Sequence, residues 1–343
     1  PTSSITRFNM SATPSVTANI TGIGRFLPEH VLTNADLEKI VDTNDEWIRT
    51  RTGIQERRIL KEEGKATAHM ASQAALAALK SAGRAPTDVE AIVVATITPD
   101  YVFPSTASLV QKAIGATGAY GFDLSAACSG FLYALSTASS LIESGRHRCV
   151  LVIGADKMSS ITDYSDRNTC ILFGDAAAAV VLERSEEGLG LIDFRHYTDG
   201  DTDDLLVMKG GGSQVPASHE SVDAKLHYLR QEGKAVFKRA TMGMADVSAE
   251  IMERNGLTSE HVDWLVPHQA NLRIIDATAR RMGVGMDKVM VNISKYGNTT
   301  AATIPLCLYD WKDRLQAGDN LVLAAFGGGL TWGAAYLKWG GAR

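Results

Sequence analysis

The chain has 343 residues, 45% of them hydrophobic and 21% charged, with a formal net charge of −5 at pH 7. This composition is typical of a globular protein with interior for one large domain or two ordinary ones. The acidic balance excludes a general electrostatic affinity for nucleic acid or anionic membrane. No apolar run is as long as a bilayer span, so we expect a cytoplasmic protein without nucleic-acid or membrane partners.

Residues 1–17 differ in composition from the rest of the chain. They are rich in Ser and Thr, Arg7 is their only charged residue, and no acidic residue precedes Glu29. We interpret the segment as an N-terminal extension or a cloning remnant, with a trimmed transit peptide as an alternative. The folded part is therefore expected to begin at residue 18.

From residue 18 onward, short β-rich runs alternate with helical stretches. Continuous apolar strands separated by helices favour an α/β protein whose sheets are buried on both faces. The predicted strands are 91–96, 119–124, 149–155, 262–268, 288–293 and 320–326.

The two halves of the chain repeat one pattern, so we predict a duplicated unit at 18–187 and 188–343. In each half, two strands lead to a helix with one apolar face, and a final strand follows. These helices are marked by Phe131, Leu135, Ala138 and Ile142 before Gly145, and by Ile304, Leu308, Trp311 and Leu315 before Gly318.

Three residues stand at the matching turns of this repeat. Thr96 precedes Cys128 by 32 residues, and His268 precedes Asn298 by 30. We expect Cys128 and Asn298 at equivalent strand-to-helix turns near the molecular centre. His268, at the carboxyl end of its strand, would point to the same region, where open α/β sheets place their sites.

The four cysteines have no close pair spacing, which excludes a zinc site and a disulfide scaffold. We therefore expect no metal. Cys128 is then a small buried hydrophobe or a nucleophile. At a helix N-terminus the positive end of the dipole would favour its thiolate.

The other two residues could have purely structural roles. His268 could be a polar side chain with hydrogen-bond partners inside the protein, and Asn298 could be a helix N-cap. Together with Cys128 they suit carbon–carbon bond formation through thioesters. Cys128 would accept an acyl group, and His268 and Asn298 would donate hydrogen bonds to a second thioester as it becomes an enolate. A glycine run at 326–333 offers backbone N–H groups for a developing oxyanion.

Five segments carry a resemblance to a known family. They are "DTNDEWIRTRTGI", "FDLSAACSGF", "LVPHQANLRII", "YGNTTAA" and "FGGGLTWG". The chain resembles the β-ketoacyl-acyl-carrier-protein synthase III enzymes of type II fatty acid synthesis over residues 18–338. The resemblance implies a thiolase-like duplicated five-layer αβαβα fold and a homodimer. It also implies condensation of a short acyl-CoA, commonly acetyl-CoA, with malonyl-acyl carrier protein, with acyl-CoA as substrate and no cofactor.

The resemblance also assigns site residues. It makes Cys128 the acylated nucleophile, its N–H and that of Gly328 the oxyanion hole, and His268 with Asn298 the decarboxylation pair. The CoA and acyl-pocket residues implied are Thr43, Trp47, Arg51, Phe103 from the partner subunit, Arg167 and Phe237. The surface for the acidic carrier protein comprises Lys238, Gln269, Ala270, Asn271, Leu272, Arg273, Arg280 and Arg281.

Other functions stay open on the sequence. The segment "RQEGKAVFK" departs from the family pattern, so the primer could be acetyl, branched or longer. A related condensing enzyme or acyltransferase of specialised metabolism is the main alternative. "GIGRFL" at 22–27 suggests a nicotinamide oxidoreductase, although Leu27 replaces the third glycine of that fingerprint. A non-catalytic thioester-binding scaffold would not need Cys128.

Overall fold

A computed structural model describes residues 16–200 and 204–342. Our predictions for residues 1–15 lie outside the described residues. Thr17 is fully buried and opens the first strand, so the folded part begins one residue earlier than expected.

The first half contributes a five-stranded sheet and its helices. Its elements are β1 (Thr17–Phe26), β2 (His30–Thr33), α1 (Asn34–Leu37), α2 (Asp45–Thr52), β3 (Glu56–Ile59), α3 (Thr67–Ala82), β4 (Ala91–Ala95), α4 (Thr106–Ile114), β5 (Tyr120–Leu124), α5 (Gly130–Glu143), β6 (Cys149–Asp156) and β7 (Ala176–Ser185). The sheet order is β1-β7-β6-β4-β5, and β4 runs parallel to both β5 and β6. Strands β2 and β3 form a separate antiparallel pair.

The second half repeats this arrangement. Its elements are β8 (Gly190–Thr198), β9 (Leu206–Val207), α6 (His219–Asp223), β10 (Arg230–Gln231), α7 (Gly233–Arg254), β11 (Trp264–Pro267), α8 (Leu272–Met282), α9 (Ile293–Tyr296), α10 (Thr303–Trp311), β12 (Asn320–Gly327) and β13 (Thr331–Lys338). The sheet order is β8-β13-β12-β11, with β11 parallel to β12. This order matches the order β1-β7-β6-β4 in the first sheet, as a duplicated fold requires, and the second sheet has no counterpart of β5 among the described residues.

The predicted strand at 288–293 is wrong. Only an isolated parallel bridge between Leu265 and Val289 marks its place beside β11. The buried Gln269 side chain accepts hydrogen bonds from the N–H groups of Asn292 (3.0 Å) and Ile293 (3.1 Å). Because these donors are engaged by a side chain, the ladder stops and α9 begins.

Three apolar clusters define five layers. The central cluster packs α5 and α10 between the two sheets. A second packs α3 and α4 on the outer face of the first sheet, and a third packs α7 and α8 on the outer face of the second. The αβαβα architecture expected from the sequence is therefore confirmed.

The two central helices differ in length. The apolar face of α5 is fully buried as predicted. The helix α10 ends at Trp311, so Leu315 lies beyond it rather than on its last turn. It still packs against the central cluster.

The glycines of "GIGRFL" lie inside β1, not in a phosphate-binding turn. A Cβ on Gly22 would lie 2.5 Å from the Ala78 carbonyl oxygen, and one on Gly24 would lie 2.5 Å from that of Ala74. Because neither glycine has a Cβ, α3 can pack closely against β1 at both positions. The dinucleotide-binding alternative is excluded.

No helix within 16–200 and 204–342 combines the length and apolarity needed to cross a bilayer. Across these described ranges, no group of three or more His, Cys, Asp or Glu side chains is arranged to hold a metal ion.

Candidate active site

A cavity of about 690 Å³ opens between the two halves at the carboxyl ends of the central strands. Cys128, His268 and Asn298 all line it. The first comes from one half and the other two from the second. Apolar residues of the β9 and β10 region, such as Leu206 and Leu229, form another wall.

Cys128 lies in a 3-10 turn at Ala127–Ser129, between β5 and α5. The second half clamps this turn: the Ser129 hydroxyl donates to the Thr331 carbonyl oxygen (3.0 Å), and the Thr331 hydroxyl donates to that of Ala126 (2.9 Å). A Cβ on Gly327 would lie 2.6 Å from the Cys128 nitrogen. Only glycine therefore lets the end of β12 pass so close to the Cys128 backbone.

Cys128 is 7% exposed, and burial raises the pKa of its thiol to about 12. The nearby charge of Asp156 adds to this rise, whereas a hydrogen bond with the Asn298 side chain opposes it. The expected effect of the helix N-terminus is thus outweighed in the free protein. The resting group is a neutral thiol.

His268 follows β11 and is 2% exposed. Its Nδ1 lies 2.7 Å from the Thr303 hydroxyl oxygen, which in turn lies 3.0 Å from the Thr300 carbonyl oxygen. Burial lowers the pKa of His268 to about 3, so the ring is neutral. Its buried Nε2 has no hydrogen-bond partner among the described residues.

Asn298 is held by both backbone and side chain. Its N–H donates to the Leu172 carbonyl oxygen (2.9 Å), and its carbonyl oxygen accepts from Gly174 N–H (3.1 Å). Its Oδ1 accepts from Thr300 N–H (2.9 Å). This bond closes a local Asx turn ahead of α10, not the N-cap of that helix. The amide NH₂ is left for the cavity and for Cys128.

The residues implied for CoA form a second group around α2. The Arg51 and Arg167 guanidinium carbons lie 5.0 and 4.8 Å from the centre of the Trp47 ring. The Thr43 hydroxyl is buried without a partner in the described part of the chain. None of these four lines the central cavity, but Leu172, which does, belongs with Trp47 to one apolar cluster.

The two phenylalanines implied for the acyl pocket lie in different places. Phe237, on α7, lines the cavity. Phe103 is 85% exposed and does not line the cavity of its own chain. Its neighbours Tyr101 and Val102 are also exposed, which makes this loop an apolar protrusion.

The basic residues implied for the carrier protein are exposed on α7 and α8. Arg280 pairs with Asp276 (2.8 Å) and Arg281 with Asp246 (3.2 Å). The Arg273 guanidinium carbon lies 4.8 Å from the centre of the Phe237 ring. Within the described ranges, no carboxylate forms an ion pair with Arg273 or with the exposed Lys238.

The implied segment 269–273 divides into a buried and an accessible part. Gln269 is fully buried, and its amide donates to the carbonyl oxygens of Pro267 (2.8 Å) and Met290 (3.1 Å). Its side chain therefore supports the loop and has no free surface. Leu272 and Arg273 are exposed, whereas Ala270 and Asn271 border the cavity mouth.

Sequence reasoning missed one buried group beside the site. Asp156, the last residue of β6, is fully buried and accepts hydrogen bonds from both halves. The sequence did contain a signal for Asp156, because this residue ends a continuous apolar strand and is therefore expected to be buried. A buried carboxylate needs specific hydrogen-bond partners, which marks it as a candidate site residue.

Comparisons with known proteins agree with this geometry. Residues 122–200 match the family model described as 3-oxoacyl-[acyl-carrier-protein (ACP)] synthase III, and residues 252–339 match the one for its C terminal. The β-ketoacyl-[acyl-carrier-protein] synthase III of Chlorobium luteolum is 59% identical over 326 residues, covering 94% of this chain and 99% of that protein.

Solved structures give the same result. The 3-oxoacyl-[acyl-carrier-protein] synthase III of Aquifex aeolicus VF5 is 48% identical with a TM-score of 0.86, covering 94% of this chain and all of that one. A priming β-ketosynthase from the R1128 polyketide biosynthetic pathway is 33% identical with a TM-score of 0.87, covering 95% and 97%.

The duplicated five-layer fold and a Cys/His/Asn cavity between its halves define a thiolase-fold condensing enzyme of the acyltransferase class. The sequence identity to the relatives above and the share of each chain that is covered then specify the family within this class. The chain belongs to the β-ketoacyl-[acyl-carrier-protein] synthase III family.

Proposed function

We propose that this enzyme condenses a short acyl-CoA, most favourably acetyl-CoA, with malonyl-acyl carrier protein, and so starts type II fatty acid synthesis. The observation that carries the proposal is the convergence of Cys128, His268 and Asn298 on one cavity. The products are a β-ketoacyl-acyl carrier protein, free CoA and CO₂. Acyl-CoA is a substrate, and no cofactor is required.

In the first half-reaction the Cys128 sulfur bonds to the acyl carbon, the carbon–sulfur bond to CoA breaks, and CoA leaves as its thiol with the proton from Cys128. The backbone N–H groups of Cys128 and Gly328 would stabilise the negative oxygen of the tetrahedral intermediate. The N-terminus of α5 favours the sulfur as it loses its proton. Burial of Cys128 protects the resulting thioester from water.

In the second half-reaction the malonyl thioester carbonyl oxygen would accept hydrogen bonds from His268 Nε2–H and the Asn298 amide. The bond to the carboxylate breaks, CO₂ leaves, and the electron pair forms an enolate held by these two donors. Its carbon attacks the acyl group, the Cys128 sulfur departs as a thiolate, and a proton from solvent restores the neutral thiol. For this role the Thr303 hydroxyl, which donates to the Thr300 carbonyl oxygen in the free protein, would turn its hydrogen to Nδ1, so that the ring proton lies on Nε2.

Substrate binding would use the two surface groups already described. Trp47 and Arg167 would sandwich the adenine, with Arg51 and Thr43 beside the ribose and phosphates. Because Arg167 now lies 4.8 Å from the Trp47 ring, the two must separate to admit a base between them. Thr43 offers a buried hydroxyl without a partner in the described part of the chain.

The acidic carrier protein would dock on α7 and α8. Lys238 and Arg273 carry charges that no described carboxylate neutralises, and Arg280 and Arg281 extend the basic surface along α8. Ala270, Asn271 and Leu272 would border the path of the pantetheine arm into the cavity. Gln269 would hold this loop from inside.

We propose a cytoplasmic homodimer. The exposed loop with Tyr101, Val102 and Phe103 is an apolar protrusion that a partner subunit would cover. Phe103 would then contribute to the acyl pocket of that partner, which explains why it does not line its own.

Two variants test the assignment of the half-reactions. His268→Ala and Asn298→Ala should still accept acetyl from acetyl-CoA, as read by intact-protein mass. Each should lower condensation with malonyl-acyl carrier protein by about 10²- to 10³-fold, because one oxyanion donor is lost. Ready condensation by the Asn298 variant would refute its assigned role.

A condensing enzyme of specialised metabolism is the second candidate, favoured by the similarity to the R1128 priming β-ketosynthase. The cavity of about 690 Å³ has room for primers larger than acetyl. A panel of acyl-CoAs read by intact mass identifies the primer. Product analysis with malonyl-acyl carrier protein against malonyl-CoA identifies the extender.

A further inference from the structure

We propose that Asp156 and Thr300 are positioning residues for Asn298, which they hold with its amide NH₂ directed at the reacting thioester. Neither belongs to the catalytic set that the sequence indicated. The inference rests on the proposed role of Asn298 as a hydrogen-bond donor.

Asp156 is a fully buried anchor at the end of β6. Its Oδ1 accepts from the hydroxyls of Thr96 (3.0 Å) and Thr98 (3.0 Å) and from Ile97 N–H (2.8 Å), all in the first half. Its Oδ2 accepts from the Thr300 hydroxyl in the second half. In each of these contacts the carboxyl group is the acceptor; burial raises the pKa of Asp156, and the hydrogen bonds from Thr300, Thr98 and Thr96 oppose that rise.

Thr300 has a backbone conformation that its side chain disfavours. Its φ is 48°, in the left-handed region, where a β-branched residue is a strained outlier. The hydrogen bond from its hydroxyl to Asp156 compensates for that strain. This same backbone conformation directs Thr300 N–H at Asn298 Oδ1, 2.9 Å away.

The chain of contacts fixes which end of the Asn298 amide meets the substrate. With Oδ1 engaged by Thr300 N–H, the NH₂ group is the end left for the cavity. The hydrogen bond between Asn298 and Cys128 lowers the pKa of the thiol, as donation to the sulfur would. Without the anchor, the amide is free to turn, and a misdirected donor no longer stabilises the enolate.

The test compares Thr300→Val, which removes the hydroxyl and keeps the branched shape, with Thr300→Ser, which keeps the hydroxyl. Acetylation of Cys128 by acetyl-CoA and condensation of the acetyl-enzyme with malonyl-acyl carrier protein are timed separately. For Thr300→Val we expect acetylation within about threefold of the wild type and condensation lowered by about 100-fold, because small misplacements have that effect. Thr300→Ser should restore condensation to within about threefold.

Asp156→Asn is the second variant, and should show the same split between the two rates. Asp123→Asn is its control, since Asp123 accepts from Thr106 N–H (2.7 Å) and Ala107 N–H (2.8 Å) and does not touch the Asn298 turn. We expect both rates of this control to stay within about twofold of the wild type, as for a change that leaves the site geometry intact.

Three outcomes overturn the proposal. One is wild-type condensation by Thr300→Val or Asp156→Asn. Another is an equal loss of both rates with a lowered melting temperature, which would make the pair structural only. The third is wild-type condensation by Asn298→Ala, which would remove the assigned role of Asn298 itself. If Asn298→Ala loses condensation and Thr300→Val does not, the positioning role of Thr300 is refuted while the proposed role of Asn298 is retained.

Discussion

Ala127 and Thr300 occupy the same position in the two halves of the molecule. Each opens a 3-10 turn, with φ of 46° and 48°, and each turn leads directly into a helix of the central layer. The residue equivalent to Cys128 is therefore Ala301. Asn298 lies two residues before its turn, so the two turns are equivalent, whereas Cys128 and Asn298 occupy different positions relative to them.

Replacing the nucleophile tests the first half-reaction. Cys128→Ser should give no acyl adduct with acetyl-CoA in intact-protein mass spectra, and overall activity should fall by about 10³-fold or more, because a serine hydroxyl is a weaker nucleophile without an activating base. Cys149→Ser is the matched control, since Cys149 lies at the far end of β6. An adduct that persists in Cys128→Ser would place acylation on another residue.

Removing the aromatic face tests the CoA site. Trp47→Ala should raise KM for acetyl-CoA about tenfold and change kcat little, because stacking and cation–π contacts contribute about 1–2 kcal/mol. Arg49→Ala serves as the control, since Arg49 lies on the same helix and pairs with Asp45 at the surface. Initial rates over a range of acetyl-CoA concentrations provide both parameters, and equal KM values for the two variants would exclude the site.

Charge reversal tests the carrier-protein surface. Lys238→Glu combined with Arg273→Glu should raise KM for malonyl-acyl carrier protein about tenfold, because docking to an acidic partner depends on complementary charge. The effect should shrink at high salt, while acetylation by acetyl-CoA stays unchanged. Arg184→Glu, near the end of β7, controls for a charge reversal elsewhere on the surface. The same KM change in Arg184→Glu would mean a general charge effect.

The protonation state of Cys128 predicts how its reactivity depends on pH. Burial raises the pKa of the free thiol to about 12. Below that value the thiolate fraction grows about tenfold per pH unit, so alkylation by iodoacetamide should accelerate steadily from pH 7 to beyond pH 9. Stopped samples analysed by peptide mass follow the reaction at Cys128. A plateau below pH 9 would contradict the raised pKa.

The buried imidazole predicts a loss of stability in acid. Burial lowers the pKa of His268 from 6.5 to about 3 in the folded protein. Below pH 6.5 the unfolded chain therefore binds a proton that the folded chain does not, and the free energy of unfolding falls as pH decreases toward 3. Denaturant unfolding of His268→Asn should show a smaller fall over this interval. Parallel pH curves for the two proteins would contradict the assignment.

The fold was largely readable from the sequence because its central strands are buried on both faces. Runs such as 149–155 and 321–326 are continuously apolar, and the structure places them in β6 and β12. The run at 288–293 also contains Lys288 and Asn292, and the strand predicted there does not form. There the N–H groups of Asn292 and Ile293, which a strand would use for its ladder, donate to the side chain of Gln269. The local sequence pattern does not predict a contact with a residue so far away in the chain.

The candidate site was readable only in part. Spacing within the repeat brought Cys128, His268 and Asn298 to one region, whereas the group around Trp47 followed from family resemblance. Helical spacing alone does not reveal that both Arg51 and Arg167 lie over one ring, because Arg167 comes from a distant loop. Asp156 was missed because its partners lie 60 and 144 residues away in the chain.

The close packing of each active-site turn on a strand of the other half has a consequence for how mutations act. Gly154 of β6 passes against the backbone of Ala301, as Gly327 of β12 passes against that of Cys128. A methyl group added at Gly154 would push on the turn that carries Asn298, and one at Gly327 on the turn that carries the nucleophile. A substitution on one of these strands therefore displaces a catalytic residue that belongs to the other half. The sequences of the two repeats can change at these contacts only together.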